Sequence, residues 1–125
     1  MKQSTFRILL LLAAALPFVA CGLFGGPGNA TKDFYYALEA GKIDEAMKTV
    51  SNQTKNTLGE PKLRALLTDL TRKIKQHGGI SSIDITSEEL TGEIADVAGT
   101  IKYEDGTSES FTQKLFKENG DWKFQ

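Results

Sequence analysis

The 125 residues contain one cysteine, one histidine, one tryptophan and three prolines. A single cysteine forms no intramolecular disulfide, so a disulfide-stapled scaffold is excluded. A general base or metal site at the lone histidine would need partners, and no sequence-local motif pairs it with Cys, Asp or Glu. No apolar run reaches the roughly 20 residues of a spanning helix. The longest, Ile8 to Ala20, is thirteen residues. The glycine-rich stretch Gly22-Leu23-Phe24-Gly25-Gly26-Pro27-Gly28 lacks the Lys-Ser/Thr that closes a phosphate loop. A basic excess is missing too. Two of the 15 basic residues precede residue 8, so residues 21–125 hold 13 basic and 16 acidic side chains, a net of −3. That balance argues against nucleic acid as a partner and against a polybasic grip on anionic lipid.

What is present begins with Lys2 and Arg7, an apolar run from Ile8 to Leu16, and Pro17 at its end. This is the layout of a secretory signal peptide. Ala20 suits ordinary cleavage, but Phe18 is too bulky for the third-last position. Val19-Ala20-Cys21 resembles instead the lipobox of bacterial lipoproteins, although Phe18 stands where Leu is usual. That resemblance implies that residues 1–20 are removed and that Cys21 carries a diacylglyceryl group and an amide-linked acyl chain. More than one chain is what stable anchoring takes. Gly22 replaces the Asp that would imply inner-membrane retention, which favours the outer membrane where a cell has two. Residues 21–29 then form the lipidated cysteine and a flexible linker, and residues 30–125 one domain, with no cofactor expected.

Asn29 reads as the N-cap of a helix over Ala30 to Ala40, ended by Gly41. Ile43, Ala46, Met47 and Val50 repeat at helical spacing over 43–51. Ser51 to Gly59 is polar and turn-like. Pro61 opens a third helix with an apolar stripe of Leu63, Leu66, Leu67, Leu70 and Ile74, closed by Gly78-Gly79. From Ile80 the period becomes alternating. Ile83 and Ile85 share a face of one strand, and Ala95, Val97, Gly99, Ile101 and Tyr103 a face of the next. Asp105-Gly106 and Asn119-Gly120 signal hairpin turns around a strand holding Phe111 and Leu115, with Trp122 and Phe124 on a short last strand. Helices followed by an antiparallel meander predict an α+β fold.

Phe34-Tyr35-x-Ala37-Leu38-x-x-Gly41-x-Ile43-x-x-Ala46, with Tyr103-x-Asp105-Gly106 and Leu115-x-Lys117-x-x-Gly120-x-Trp122-Lys123-Phe124 further on, resembles a nuclear-transport-factor-2-like domain, or cystatin-like roll, of bacterial lipoproteins. The resemblance implies N-terminal helices packed on a curved antiparallel sheet, often around a cone-shaped cavity. It implies no single activity.

Phe34, Tyr35 and Tyr103 are the candidates to line such a cavity and bind a small apolar ligand. An enzyme of this fold would need a tyrosine (Tyr35, Tyr36 or Tyr103) beside an acid such as Asp33 or Asp96. Aromatics next to Phe34 and Leu38 are better read as core or cavity lining, so a non-catalytic binding domain is the preferred reading. A purely structural envelope protein is the other alternative. Eight acids crowd residues 84–109, opposed there by Lys102, while the third helix carries Lys62, Arg64, Arg72, Lys73 and Lys75. Solvated faces explain both blocks. A sharper alternative makes Glu88, Glu89 and Glu93 a docking patch for a basic envelope protein. His77, at the end of the third helix, complements the helix dipole. None of these features speaks to oligomeric state.

Overall fold

The computed structural model describes residues 25–125. Cys21, the leader and residues 22–24 of the expected linker lie outside them. Four helices, α1 (Pro27–Glu39), α2 (Ile43–Lys48), α3 (Asn52–Leu58) and α4 (Glu60–Gln76), precede four strands. These are β1 (Ile80–Thr91), β2 (Ile94–Tyr103), β3 (Ser108–Glu118) and β4 (Asp121–Phe124), joined as an antiparallel meander in the order β1-β2-β3-β4.

α1 starts three residues earlier than Asn29 capping would place it. Gly26 is the N-cap and supplies no side-chain cap, and Pro27 occupies the first turn, where its missing N–H costs nothing. The absent cap is replaced from a distance. The Glu88 carboxylate on β1 accepts the Gly28 N–H at 2.6 Å, placing negative charge at the positive end of the helix. At its other end, α1 is tied to the start of β1 through Glu39, whose carboxylate accepts the Ile80 N–H. α1 therefore runs antiparallel to β1.

The polar stretch after Ser51 is a helix, not a turn. The buried Ser51 hydroxyl accepts the Thr54 N–H at 3.2 Å, and Gly59, at φ +84°, ends α3. None of its residues is buried, so no apolar period marks it.

The inward sheet face is the one the alternation predicts. Ala95 and Val97 are fully buried, Ile101 and Tyr103 nearly so. With Ile83, Leu115 and Phe124, the side chains of Val97, Ile101 and Tyr103 meet Phe34, Tyr35 and Leu38 of α1, Ala46 and Met47 of α2, and Leu63, Leu67 and Ile74 of α4. Gly99 lies on this face without a side chain. A Cβ there would strike the Asp84 carbonyl and come within 2.7 Å of the Phe111 ring. The outward face is mostly polar, with Ser82, Thr100, Lys102, Ser110, Thr112 and Lys114 along it. Helices thus cover one side of a curved sheet, an α+β roll.

Candidate functional site

Leu63, Leu67, Thr71 and Ile74 face inward along α4 and are buried. Leu66 and Leu70 share the apolar stripe but lie on its flank, 46% and 38% exposed. The stripe is wider than the surface the sheet offers. Its excess forms one wall of a groove of about 570 Å³. Phe111, Thr112 and Gln113 of β3 form the opposite wall, Phe34 and Tyr35 line it from α1, and Val50, Thr54 and Phe124 complete it.

Within this groove Tyr35 is fixed rather than free. Its ring packs against Phe34 (5.3 Å between centroids) and Phe111 (5.5 Å), and its hydroxyl accepts the Gln113 side-chain N–H at 3.1 Å. Burial pushes the Tyr35 hydroxyl up from its ordinary pKa, against a smaller downward pull from Gln113. The phenol therefore stays protonated at neutral pH. It can orient a polar end of a ligand but offers no ready base. Phe34 and Tyr35 line the groove as expected, and both are buried.

Tyr103, the third expected lining residue, is absent from the groove wall. It is 5% exposed and lies beneath His77, stacked at 4.5 Å between ring centroids. Its hydroxyl reaches toward Glu109 Oε2 at 3.4 Å, and Lys73 Nζ sits 2.6 Å from that oxygen. Burial, and then the Glu109 charge, raise the Tyr103 pKa. The acid that meets a tyrosine is thus Glu109. Asp33 borders the opposite side of α1 with the exposed Tyr36, and Asp96 faces outward toward Lys114, 4.0 Å away.

His77 closes the far end of the domain. Its Nδ1 is 2.7 Å from Asp105 Oδ2, and Thr107 donates its hydroxyl to Asp105 Oδ1 at 2.6 Å and its backbone N–H to the same oxygen at 3.0 Å. The Thr107 hydroxyl and N–H first, and His77 next, hold the Asp105 carboxyl down at about 2. Thr107 and Asp105 both approach Nδ1. This is a clasp between the α4 end and the β2–β3 turn, unlike a nucleophile–base–acid chain, which uses both ring nitrogens. Sequence reading saw only helix capping here, because the two partners are 28 residues apart.

Glu88, Glu89 and Glu93 do not share a surface. A bulge between Ile85 and Ser87 shifts the alternation of β1. Glu88 therefore falls opposite Val97 on the inward side and is committed to the Gly28 N–H, whereas Glu89 falls opposite Asp96 on the outward side. Glu93 lies in the β1–β2 turn, where its carbonyl accepts the Lys117 N–H at 2.9 Å. Among the described residues no cluster of three or more metal-ligating side chains occurs, and no helix is long and apolar enough to cross a membrane.

Comparison with known families fits this architecture. Residues 19–125 match the family model described as "Domain of unknown function (DUF4878)". The chain belongs to that family. A crystal structure from Campylobacter jejuni, described as a "Putative NTF2-like transpeptidase", superposes with a TM-score of 0.67 at 19% identity, covering 80% of this chain and 97% of the other. That likeness shows the nuclear-transport-factor-2-like fold. No curated protein matches the sequence.

Proposed function

We propose that this DUF4878 protein is a lipid-anchored component of the bacterial cell envelope whose roll domain binds a small apolar ligand. The groove between α4 and β3 carries the reading. Its volume of about 570 Å³ falls within the ~300–1,000 Å³ of small-molecule sites. Leucine and phenylalanine make up most of the apolar part of its lining, and Tyr35 with Gln113 sets a fixed polar pair among them, while Thr54, Glu109, Ser110, Thr112 and Gln125 supply further polar groups. Leu66 and Leu70 remain half-exposed without a ligand, so covering them adds burial on binding. The envelope half of the reading rests on the leader and the lipobox-like Val19-Ala20-Cys21.

Two experiments test the halves separately. A long-chain fluorescent fatty acid, titrated into the protein, is expected to brighten on binding and to lose that response in Leu66→Glu and Leu70→Glu. Equal binding by these variants, with folding verified by circular dichroism, rejects the groove. For the anchor, Cys21→Ser is expected to abolish incorporation of labelled palmitate, and label retained by the variant rejects Cys21 as the lipidation site.

A further inference from the structure

The end of the domain where the tether enters has a composition of its own. α1 begins beside Glu88 and finishes beside Ile80, so the chain arrives at the end of the sheet that holds the β1–β2 turn. β1 continues three residues past Glu88 to Thr91, an overhang of about 10 Å. Leu90 and Ile94 stand on this overhang, 57% and 39% exposed. They lie on opposite sides of it. Leu90 pairs with Ala95 on the inward side, and Ile94 pairs with Phe116 on the outward side. The β3–β4 turn reaches the same end and places Trp122 there, with Lys117 Nζ 5.6 Å from the ring centroid.

A scattered exposed leucine needs no explanation. Here two aliphatic side chains crown a hairpin, with an aromatic and a lysine at their flank, and the last two are side-chain types that settle at a bilayer interface. Nearby acids Glu88, Glu89, Glu93, Asp96, Glu118 and Asp121 outnumber Lys114, Lys117 and Lys123. Attraction to anionic headgroups is therefore not the driving force. From Cys21 to Pro27 the backbone spans at most ~20 Å, so a lipid at Cys21 holds this end against the leaflet.

We propose that the hairpin end bearing Leu90 and Ile94 is a second membrane contact, seated in the headgroup region of the leaflet that holds the Cys21 lipid. It fixes the domain's orientation, with the His77 clasp pointing away from the bilayer. This rests on the lipid-anchor reading and adds a contact that the lipid alone does not require.

Trp122 is the sole tryptophan and lies at the proposed contact, so it reports directly. The full lipidated protein is reconstituted in phosphatidylcholine vesicles with plain or brominated acyl chains, and association is checked by flotation. The expected result is quenching of Trp122 by the brominated lipid, lost in Leu90→Ser/Ile94→Ser while that variant still floats. Leu66→Ser, in the groove, should retain the quenching. Floating wild-type protein with equal fluorescence in both vesicles overturns the second contact and leaves the anchor intact. Quenching that persists undiminished in a folded double variant also overturns it. Lipidated protein that fails to float removes the anchor reading, and the second contact with it.

Discussion

Around Asp105 and Gly106 the sheet is fastened to a helix. The Asp105 N–H donates to the His77 carbonyl at 3.1 Å, the Glu104 N–H to that of Gly79 at 2.9 Å, and the side chains of His77, Asp105 and Thr107 close over these backbone bonds. Around Gly92 and Asn119, at the opposite end, the turns stand beyond the start of α1 and are tied to the helical layer by carboxylates, Glu88 accepting the Gly28 N–H at 2.6 Å and Glu118 the Asn52 N–H at 3.1 Å. Both ends belong to one meander and both turn at glycine. The difference lies in what covers them. The clasped end is covered by its own chain. The other leaves Leu90 and Ile94 uncovered, on opposite sides of the hairpin.

The comparison can be broken most sharply with aliphatic residues. Ile74, near the clasped end, is 3% exposed, so Ile74→Ala should cost about 2–5 kcal/mol through lost burial and the cavity left behind. Denaturant titration measures this, and a cost below 1 kcal/mol would show that the clasped end is loosely packed. Next in size is Glu88→Ala, which removes the long-range cap of α1. A loss of roughly 0.5–2 kcal/mol is expected, accompanied by faster amide exchange in the first turn of α1. Unchanged exchange there would show that the Glu88 carboxylate does not cap α1.

The clasp itself predicts a pH dependence. Asp105 has its carboxyl lowered to about 2 from 3.8, so its contribution is fully present above the unfolded value and fades as pH falls through the folded one. Asp105→Asn should therefore be less stable than wild type at pH 7, with the gap closing between about pH 4 and pH 2. A gap independent of pH would show that the charge is irrelevant to the clasp. The smallest effect is reserved for the Gly92 end: Leu90→Ala, at a side chain 57% exposed, should change stability by no more than about 0.5 kcal/mol. A loss comparable to that of Ile74→Ala would mean that Leu90 is packed.

Much of this contrast is legible in the sequence. The inward face of β2 follows from alternation alone, and Asp105-Gly106 and Asn119-Gly120 turn where their residues dictate, with Gly106 and Gly120 at φ +87° and +86°. Leu66 and Leu70 were visible as apolar but not as surplus, since a helical stripe does not state how wide its partner surface is. Three features were hidden for physical reasons. α3 has no fully buried residue, so periodicity is silent about it. The bulge in β1 resets the alternation and delivers Glu88 to the inward side, which a strict two-residue period places outward. The α1 cap and the His77–Asp105 bond join residues 60 and 28 apart, beyond any local pattern. Tyr103 shows the opposite error: its burial was foreseeable, but whether a buried aromatic borders a groove or lies beneath a histidine depends on packing.

The bridge between Val50 and Phe124 has a consequence for timing. The Ser51 N–H donates to the Phe124 carbonyl and the Phe124 N–H to the Thr49 carbonyl, both at 2.7 Å, so residues from the first half of the domain are stitched to the last strand. Such distant pairing is slow to form, because the loop it closes must be ordered before the bond rewards it. A chain whose last strand is not yet in place has no partner for the backbone of residues 49–51. Until then the segment that becomes the α2–α3 junction stays open. The stitch that completes the roll is thus also a latch that waits for the end of the chain.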